Sequence, residues 1–394
     1  MDSEVVSQRS GTNVLVVCVC FAIIMADGFD LQFIGIVGKD LMREWSLSPA
    51  AFGAVASAAL FGSIAGALLA GFVARRIGLR ATLIGTLLLF GGFTLAGMFA
   101  GDAVVLFVLR LIAGIGLGGA VPVTVSIVDA HSTQSTRALT MTLAVCGQPI
   151  GAILGAALCA HFLPIFGWRF AFALGGVAPL VLVPFVWRLF GESPQARRTQ
   201  SSFTRLLGRD LRKTTLLLWT TVFLSSFYIY VIVTWMPGTL RDAGASLPQS
   251  VWAISLFNFG GIAGAVLAAA WIDRRVSFRV MPVMYGLAAV GTLALGMMPS
   301  VPGSYPIALA SGFGGYGAAM LLGSVTAMLY PQELRTFGVG FLLGIGRWGA
   351  ALGPVLVGAA LAAGLPTPGL FWVAASAVFI AMLSFSALSR HPGS

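Results

Sequence analysis

The chain is poor in charge. Of its 394 residues only 9% are charged, against 58% that are hydrophobic, and such a ratio cannot present a water-soluble surface. Side chains for metal or redox chemistry are also few. The 3 histidines, His131, His161 and His391, lie in or beside predicted loops and far apart, while the 4 cysteines, Cys18, Cys20, Cys146 and Cys159, fall inside apolar stretches. Neither set has metal-site or disulfide-framework spacing, so the cysteines read as packing residues and no metal or organic cofactor is expected. No catalytic cluster is evident, which argues against a membrane enzyme. The alternation of apolar and polar residues over segments of about ten that a transmembrane β-barrel requires is missing too.

What the chain has instead is long apolar runs. A helix needs roughly 20 apolar residues to cross a hydrocarbon core of about 30 Å. Twelve stretches qualify: 14–37, 50–73, 81–100, 104–127, 138–160, 168–190, 214–236, 250–272, 280–299, 304–327, 337–360 and 366–388. The polar segment Met1 to Asn13 ahead of the first run has the outline of a secretory signal, but the run continues past Asp27 with no small-residue cleavage site and is counted as a span. The 50 glycines would weaken soluble helices, whereas in a membrane they let helix backbones approach closely. The expected fold is therefore all-α, with twelve transmembrane helices.

An offset of 198 residues superimposes the chain on itself in two separate places. Phe61, Gly62, Ile64, Ala65, Gly66 and Ala67 meet Phe259, Gly260, Ile262, Ala263, Gly264 and Ala265; Gly114, Gly116 and Gly119 meet Gly312, Gly314 and Gly317. Each repeat holds six spans, an even number, so the two are parallel, with a substrate site expected between them near mid-membrane. The expected organisation is a half at 1–190, a cytoplasmic linker at 191–213 and a second half at 214–394.

Positive side chains favour the cytoplasm. With both termini inside, the inner loops collect Arg75, Arg76, Arg80, Arg137, Arg188 through Lys213, Arg274, Arg275, Arg279, Arg335 and Arg390; the outer loops hold Lys39, Arg43, Arg169 and Arg241. The net charge of +10 is then explained by topology and anionic lipid, with no need for a nucleic-acid partner.

Ionisable residues deep inside spans are costly enough to carry a functional hypothesis by default. Asp27 and Asp30, three apart on the first span, share a helical face, and two carboxylates in one dry site cannot both ionise easily. They are candidates for proton coupling with Arg110, or else form a structural pair with it. Arg347 is suited either to an anionic substrate or to capping broken backbone near Gly344, Gly346 and Gly349. Phe29, Tyr228, Tyr230, Trp235 and Tyr316 supply either an aromatic wall or packing; Gln148 and Asn258 bond either substrate or neighbouring helices.

The stretch between the second and third spans, with Gly71, Ala74, Arg76, Gly78 and Arg80, resembles the general motif of the major facilitator superfamily, departing from it at Arg75 and Leu79. The stretches Asp27-Gly28-Phe29-Asp30, Phe166-Gly167-Trp168-Arg169, Gly191-Glu192-Ser193-Pro194, Asp273-Arg274, Tyr330-Pro331 and Gly344-Ile345-Gly346-Arg347 are similar to landmarks of its aromatic acid:proton symporter family. The resemblance covers nearly the whole chain. It implies a monomeric carrier of the bacterial inner membrane that imports an aromatic carboxylate with protons, the acidic residues of the first span serving proton coupling. Symport of another organic anion and metabolite efflux are the alternatives. It further implies conformational gating by Gly71, Arg75, Arg76, Gly78, Arg80, Asp129, Arg137, Asp273 and Arg274. Arg75 stands where the family has Asp, Asp129 where relatives usually show Glu, and Ala318 to Gly323 is apolar where relatives often have amides.

The charge distribution makes a direct prediction. A cysteine introduced at Ser202 should react with a membrane-impermeant maleimide only when the cytoplasmic face is accessible, as in inverted vesicles; labelling of intact cells alone would reverse the orientation.

Overall fold

The structure, a computed structural model, describes residues 14–130, 137–190, 203–208, 210–275, 278–297 and 301–389. Twelve long apolar helices emerge: α1 (Val14–Glu44), α2 (Pro49–Ile77), α3 (Leu79–Phe99, its last turn 3₁₀), α4 (Ala103–Ala130), α5 (Arg137–Phe166), α6 (Arg169–Leu189), α7 (Arg212–Asp242), α8 (Leu247–Arg275), α9 (Val280–Met297), α10 (Val301–Leu329), α11 (Arg335–Ala362) and α12 (Gly369–Ser389). Of the predicted linker, residues 191–202 and Arg209 lie outside the described residues, as do Met1 to Asn13, His131 and His391; Phe203–Leu206 forms a single helical turn.

Several helices overrun their apolar windows. The 31 residues of α1 span about 46 Å at 1.5 Å per residue, more than a hydrocarbon core, so its final turns enter the headgroup zone with Lys39, Asp40 and Arg43. These charges, and Arg241 of α7, therefore belong to helix ends, where loops had been expected. Local signals set other boundaries. Ser48 caps α2, its hydroxyl accepting from the Ala51 N–H at 3.2 Å ahead of Pro49, and Gly78, at φ 85°, makes the abrupt turn into α3.

The two halves repeat contact by contact. A Cβ on Gly62 would overlap the carbonyl oxygen of Leu111, and one on Gly260 that of Leu309; Gly66 meets Ile115 as Gly264 meets Phe313, Gly114 meets Ala59 as Gly312 meets Phe257, and Gly151 meets Met25 as Gly349 meets Phe223. Every pair is related by the same 198 positions. The glycines thus hold α2 on α4 and α1 on α5 in one half, and α8 on α10 and α7 on α11 in the other. The halves meet through α1 with α7, α2 with α11 and α5 with α8. Gly35 of α1 lies against the backbone of Val233, its own repeat mate, so the pseudo-twofold axis passes between them.

The antiparallel pair α2 and α11 is pinned at one end. Away from the arginine-rich face, Gly53 abuts the carbonyl of Pro354, and Gly358 abuts that of Pro49. Midway, Arg347 Nη1 donates to the Ser63 carbonyl at 2.8 Å. Towards the arginine-rich face, Gly71, Gly340 and Gly344 have nothing within 4 Å of an added Cβ. Two ion pairs join the halves among the described residues, Lys39 with Asp242 and Asp40 with Arg241, and both are at the pinned end. The structure is closed at that end.

Valine at Gly62 or Gly260 should destabilise the protein, at about 1–3 kcal/mol for an overpacked interior, whereas alanine at Gly71 should leave stability unchanged. Thermal unfolding of the detergent-solubilised variants checks the contrast; equal melting temperatures would contradict the close-approach role.

Candidate functional site between the two halves

Among the polar groups described inside the bundle, three clusters bear on function. The first is sealed within the first half. Arg110 Nη1 donates to both oxygens of Asp30, at 2.9 and 2.7 Å, Nη2 reaches the Asp30 carbonyl at 3.3 Å, and the Thr94 hydroxyl donates to Asp30 Oδ1 at 3.1 Å. Both charged residues are essentially inaccessible, at 0% and 1% exposure, and the guanidinium also lies 5.2 Å from the Phe33 ring. The pair ties α1 to α4, with α3 contributing the hydroxyl. Such a pair satisfies each charge only while both are present.

The repeat places a neutral cluster opposite. Tyr228 occupies the position of Asp30, Thr292 that of Thr94 and Ala308 that of Arg110. The Tyr228 hydroxyl donates to the Ser311 carbonyl at 3.0 Å, with Thr292 at 3.4 Å. Ser225, the mate of Asp27, is buried on Tyr285 at 2.9 Å. The second half thus keeps the architecture of the cluster and discards its charge.

The third cluster spans the interface. Asp27, 2% exposed, accepts from Gln148 Nε2 of α5 at 3.0 Å, and it stands within electrostatic reach of Arg347 of α11, Tyr230 of α7 and Tyr316 of α10. Tyr316 closes the π-helical turn Gly312–Tyr316 and stacks on Phe257 with centroids 5.9 Å apart. Such a π turn in a long helix is frequent at functional sites. One half supplies the carboxylate and the amide, the other the guanidinium and two phenols. Five helices converge here.

The geometry alters several expectations. Asp27 and Asp30 take different hydrogen-bond partners, because residues three apart differ by about 60° around a helix, enough to send Asp30 to α3 and α4 and Asp27 to α5 and the interface, while the two carboxylates stay within electrostatic reach of each other. Arg347 does not cap broken backbone, because α11 is continuous through Gly344, Gly346 and Gly349. Phe29 is no part of the interface; it is buried against Gly155 and Gly175 and stacked on Phe33 at 5.2 Å. Tyr228 is likewise enclosed in its own half. Asn258 is engaged with Gln32 across the halves by reciprocal amide bonds of 2.7 and 2.9 Å. Trp235 lies towards the closed end, edge-on to Phe52 at 5.3 Å.

The motif residues stand at the arginine-rich face. A Cβ added at Gly71 would meet nothing within 4 Å, Gly78 makes the turn, Arg75 and Arg76 lie 5.9 and 4.2 Å from the Phe72 ring, and Arg80 lies 4.5 Å from Trp187. Asp273 and Arg274 are exposed. The side chains of Asp129 and Arg137 lie outside the described residues. Gln32 and Thr94 had not been singled out. Each is a polar residue in an apolar run, and Thr94 also has a threonine as its repeat mate, a signal the offset contains.

Comparison with known proteins agrees with this architecture. The profile of the Major Facilitator Superfamily matches residues 19–329. A gallate transporter of Pseudomonas putida is 34% identical, covering 95% of this chain and 91% of its own. The 4-hydroxybenzoate transporter PcaK of the same organism is 32% identical over 86% and 84%, and the 3-(3-hydroxy-phenyl)propionate transporter of Escherichia coli (strain K12) is 31% identical over 99% and 98%. Among solved structures, a D-xylose-proton symporter superimposes with a TM-score of 0.76 at 19% identity, covering 95% of this chain and 97% of its own. A bacterial homologue of the lysosomal transporter Spinster superimposes at 0.74 with 18% identity, covering 97% and 99%. At those identities the structures establish the fold alone.

The sealed pair predicts a stability signature. Arg110→Ala and Asp30→Ala should each cost about 3–5 kcal/mol by leaving an uncompensated buried charge, while the double variant should cost less than the sum of the two. Additive losses in melting temperature would mean that the two side chains do not act as a unit.

Proposed function

Since the chain belongs to the Major Facilitator Superfamily, among its aromatic acid transporters, we propose that it imports an aromatic carboxylate together with protons by alternating access. It is a multi-pass membrane transporter and not an enzyme. The observation that carries the reading is the interface cluster, where Arg347 of one half faces Asp27 of the other across the surface on which the halves must rock. Arg347 spends one donor on the Ser63 carbonyl, and the remaining edge of its fork suits a carboxylate bidentately. Tyr230 and Tyr316 offer faces for an aromatic ring and hydroxyls for ring substituents.

In this reading Asp27 carries the proton. A carboxylate at the moving interface alternates between the two sides; its hydrogen-bond partner Gln148 is neutral and serves either protonation state, while the nearby charge of Arg347 favours the ionised form. Asp30, locked to Arg110 inside one half, is the positioning member that holds α1 rigid. With the arginine-rich face in the cytoplasm of a bacterial inner membrane, the structure is the inward-open state, its outer end closed by the cross-half ion pairs. Arg75, in place of an acidic residue, weakens attraction between the halves at the cytoplasmic end and favours this state. One proton with one monocarboxylate is electroneutral and driven by the pH gradient alone; a second proton would add roughly 2.3 kcal/mol per 100 mV.

Uptake of labelled 4-hydroxybenzoate into proteoliposomes under an imposed pH gradient tests the reading. Asp27→Asn should abolish accumulation against a gradient yet spare substrate exchange. Arg347→Ala should weaken binding roughly ten- to hundredfold, the worth of a charge-assisted hydrogen bond, and Arg347→Lys should rescue poorly because an ammonium lacks the planar fork. Proton-driven accumulation by Asp27→Asn would place coupling elsewhere, and absence of any uptake by the wild type would reject the substrate class.

A further inference from the structure

A second feature of the molecule lies apart from the interface cluster. At the closed end a cavity of about 790 Å³ sits between the ends of α1, α2, α7 and α11, within the size range of small-molecule sites. Its charged lining consists of three cations, Lys39, Arg43 and Arg241, and two carboxylates, Asp40 and Asp242. The surplus is positive. Two of the cations are matched by the two carboxylates, so the surplus is the single charge of Arg43, which offers an anion one charge-assisted partner.

The individual groups are more specific than the sum. Arg241 grips Asp40 with a two-pronged fork, Nη1 to Oδ2 and Nη2 to Oδ1, both at 3.0 Å, and Lys39 pairs with Asp242. Arg43, on the same cavity, is exposed and forms no ion pair among the described residues. The wall also carries the edge-on ring pair Phe52 and Trp235. The indole N–H of Trp235 is buried and has no hydrogen-bond partner. A buried donor without an acceptor is uncommon in a finished structure. The free guanidinium and the edge of the Phe52/Trp235 pair line one cavity, and the unpartnered indole N–H is buried behind that wall. Counting eight residues down α1 from Gly35 at its floor to Asp27, the cavity lies about 12 Å from the interface cluster.

We propose that this cavity is a second binding site, a capture site for aromatic carboxylates at the closed face, with Arg43 holding the carboxylate and the Phe52/Trp235 wall holding the ring. The ligand class rests on the proposed function; the site does not coincide with the one proposed there. A captured carboxylate has the same two-oxygen geometry as that of Asp40 and competes with it for the fork of Arg241. Exchange of Asp40 for the ligand loosens one of the two ion pairs that join the halves at this end. The ligand that is to be transported thereby helps to open the face through which it enters.

Equilibrium dialysis of radiolabelled 4-hydroxybenzoate against the purified full-length protein tests the proposal. The wild type should bind two equivalents. Arg347→Ala should retain one, several-fold weaker at 500 mM than at 50 mM salt (about 4 and 14 Å Debye length). Adding Arg43→Gln to Arg347→Ala should reduce the retained binding at least tenfold, while Arg43→Gln alone should leave the interface site intact and raise the concentration for half-maximal uptake several-fold. Arg43→Lys should restore part of the loss, which a merely unfolded variant could not. A single equivalent in the wild type, lost entirely in Arg347→Ala, would overturn the capture site and leave the proposed function standing. Retained binding indifferent to Arg43→Gln would overturn it as well. No binding by any form would reject both readings together.

Discussion

Lipid offers a polypeptide no hydrogen bonds, and the rest of this structure depends on that constraint. Each span must close its own backbone ladder as a helix, and helices already surrounded by hydrocarbon gain nothing from hydrophobic burial against one another. Close packing has to hold them instead. Here it is supplied by glycines set against carbonyl oxygens of the neighbouring helix, and because the same contacts recur 198 residues apart, two halves of one design result. Along the interface between those halves such packing is graded, tight at Gly53 and Gly358 and open at Gly71, Gly340 and Gly344.

Duplication then makes the exceptions meaningful. Asp30, Thr94 and Arg110 face Tyr228, Thr292 and Ala308 across the pseudo-twofold axis, so the second half holds a neutral copy of a charged cluster. Charge survives at Asp27 on one side and at Arg347 on the other. An interface lined by one acid and one base from opposite halves changes its electrostatic balance with every proton or anion that arrives, which a symmetric neutral interface cannot do. The cost of placing charge in the membrane is met differently in the two cases: by a sealed pair for Asp30 and by convergence of five helices for Asp27.

The closed end adds a further contrast. The basic residues that break the positive-inside pattern are there, and three of them are matched by acids: Lys39 by Asp242, Arg241 by Asp40, and Arg169 by Glu44, which also accepts from the Trp168 indole. These pairs fasten helix ends together. Arg43 remains outside these pairs, which is why it stands out.

Helix number, the repeat and the costly side chains Asp27, Asp30, Arg110 and Arg347 were determined by the sequence itself, because the price of leaving water is written in composition and run length. The tertiary structure decided how those side chains are shared. Whether Asp27 and Asp30 act together depends on a 60° rotation about α1 and on which neighbours lie at each bearing, and no linear spacing encodes those neighbours. The pairing of Gln32 with Asn258, the enclosure of Phe29 and Tyr228, and the bond from Arg347 to Ser63 likewise depend on how one half is seated against the other. That seating rests on contacts between residues more than two hundred positions apart, which no local stretch of sequence specifies.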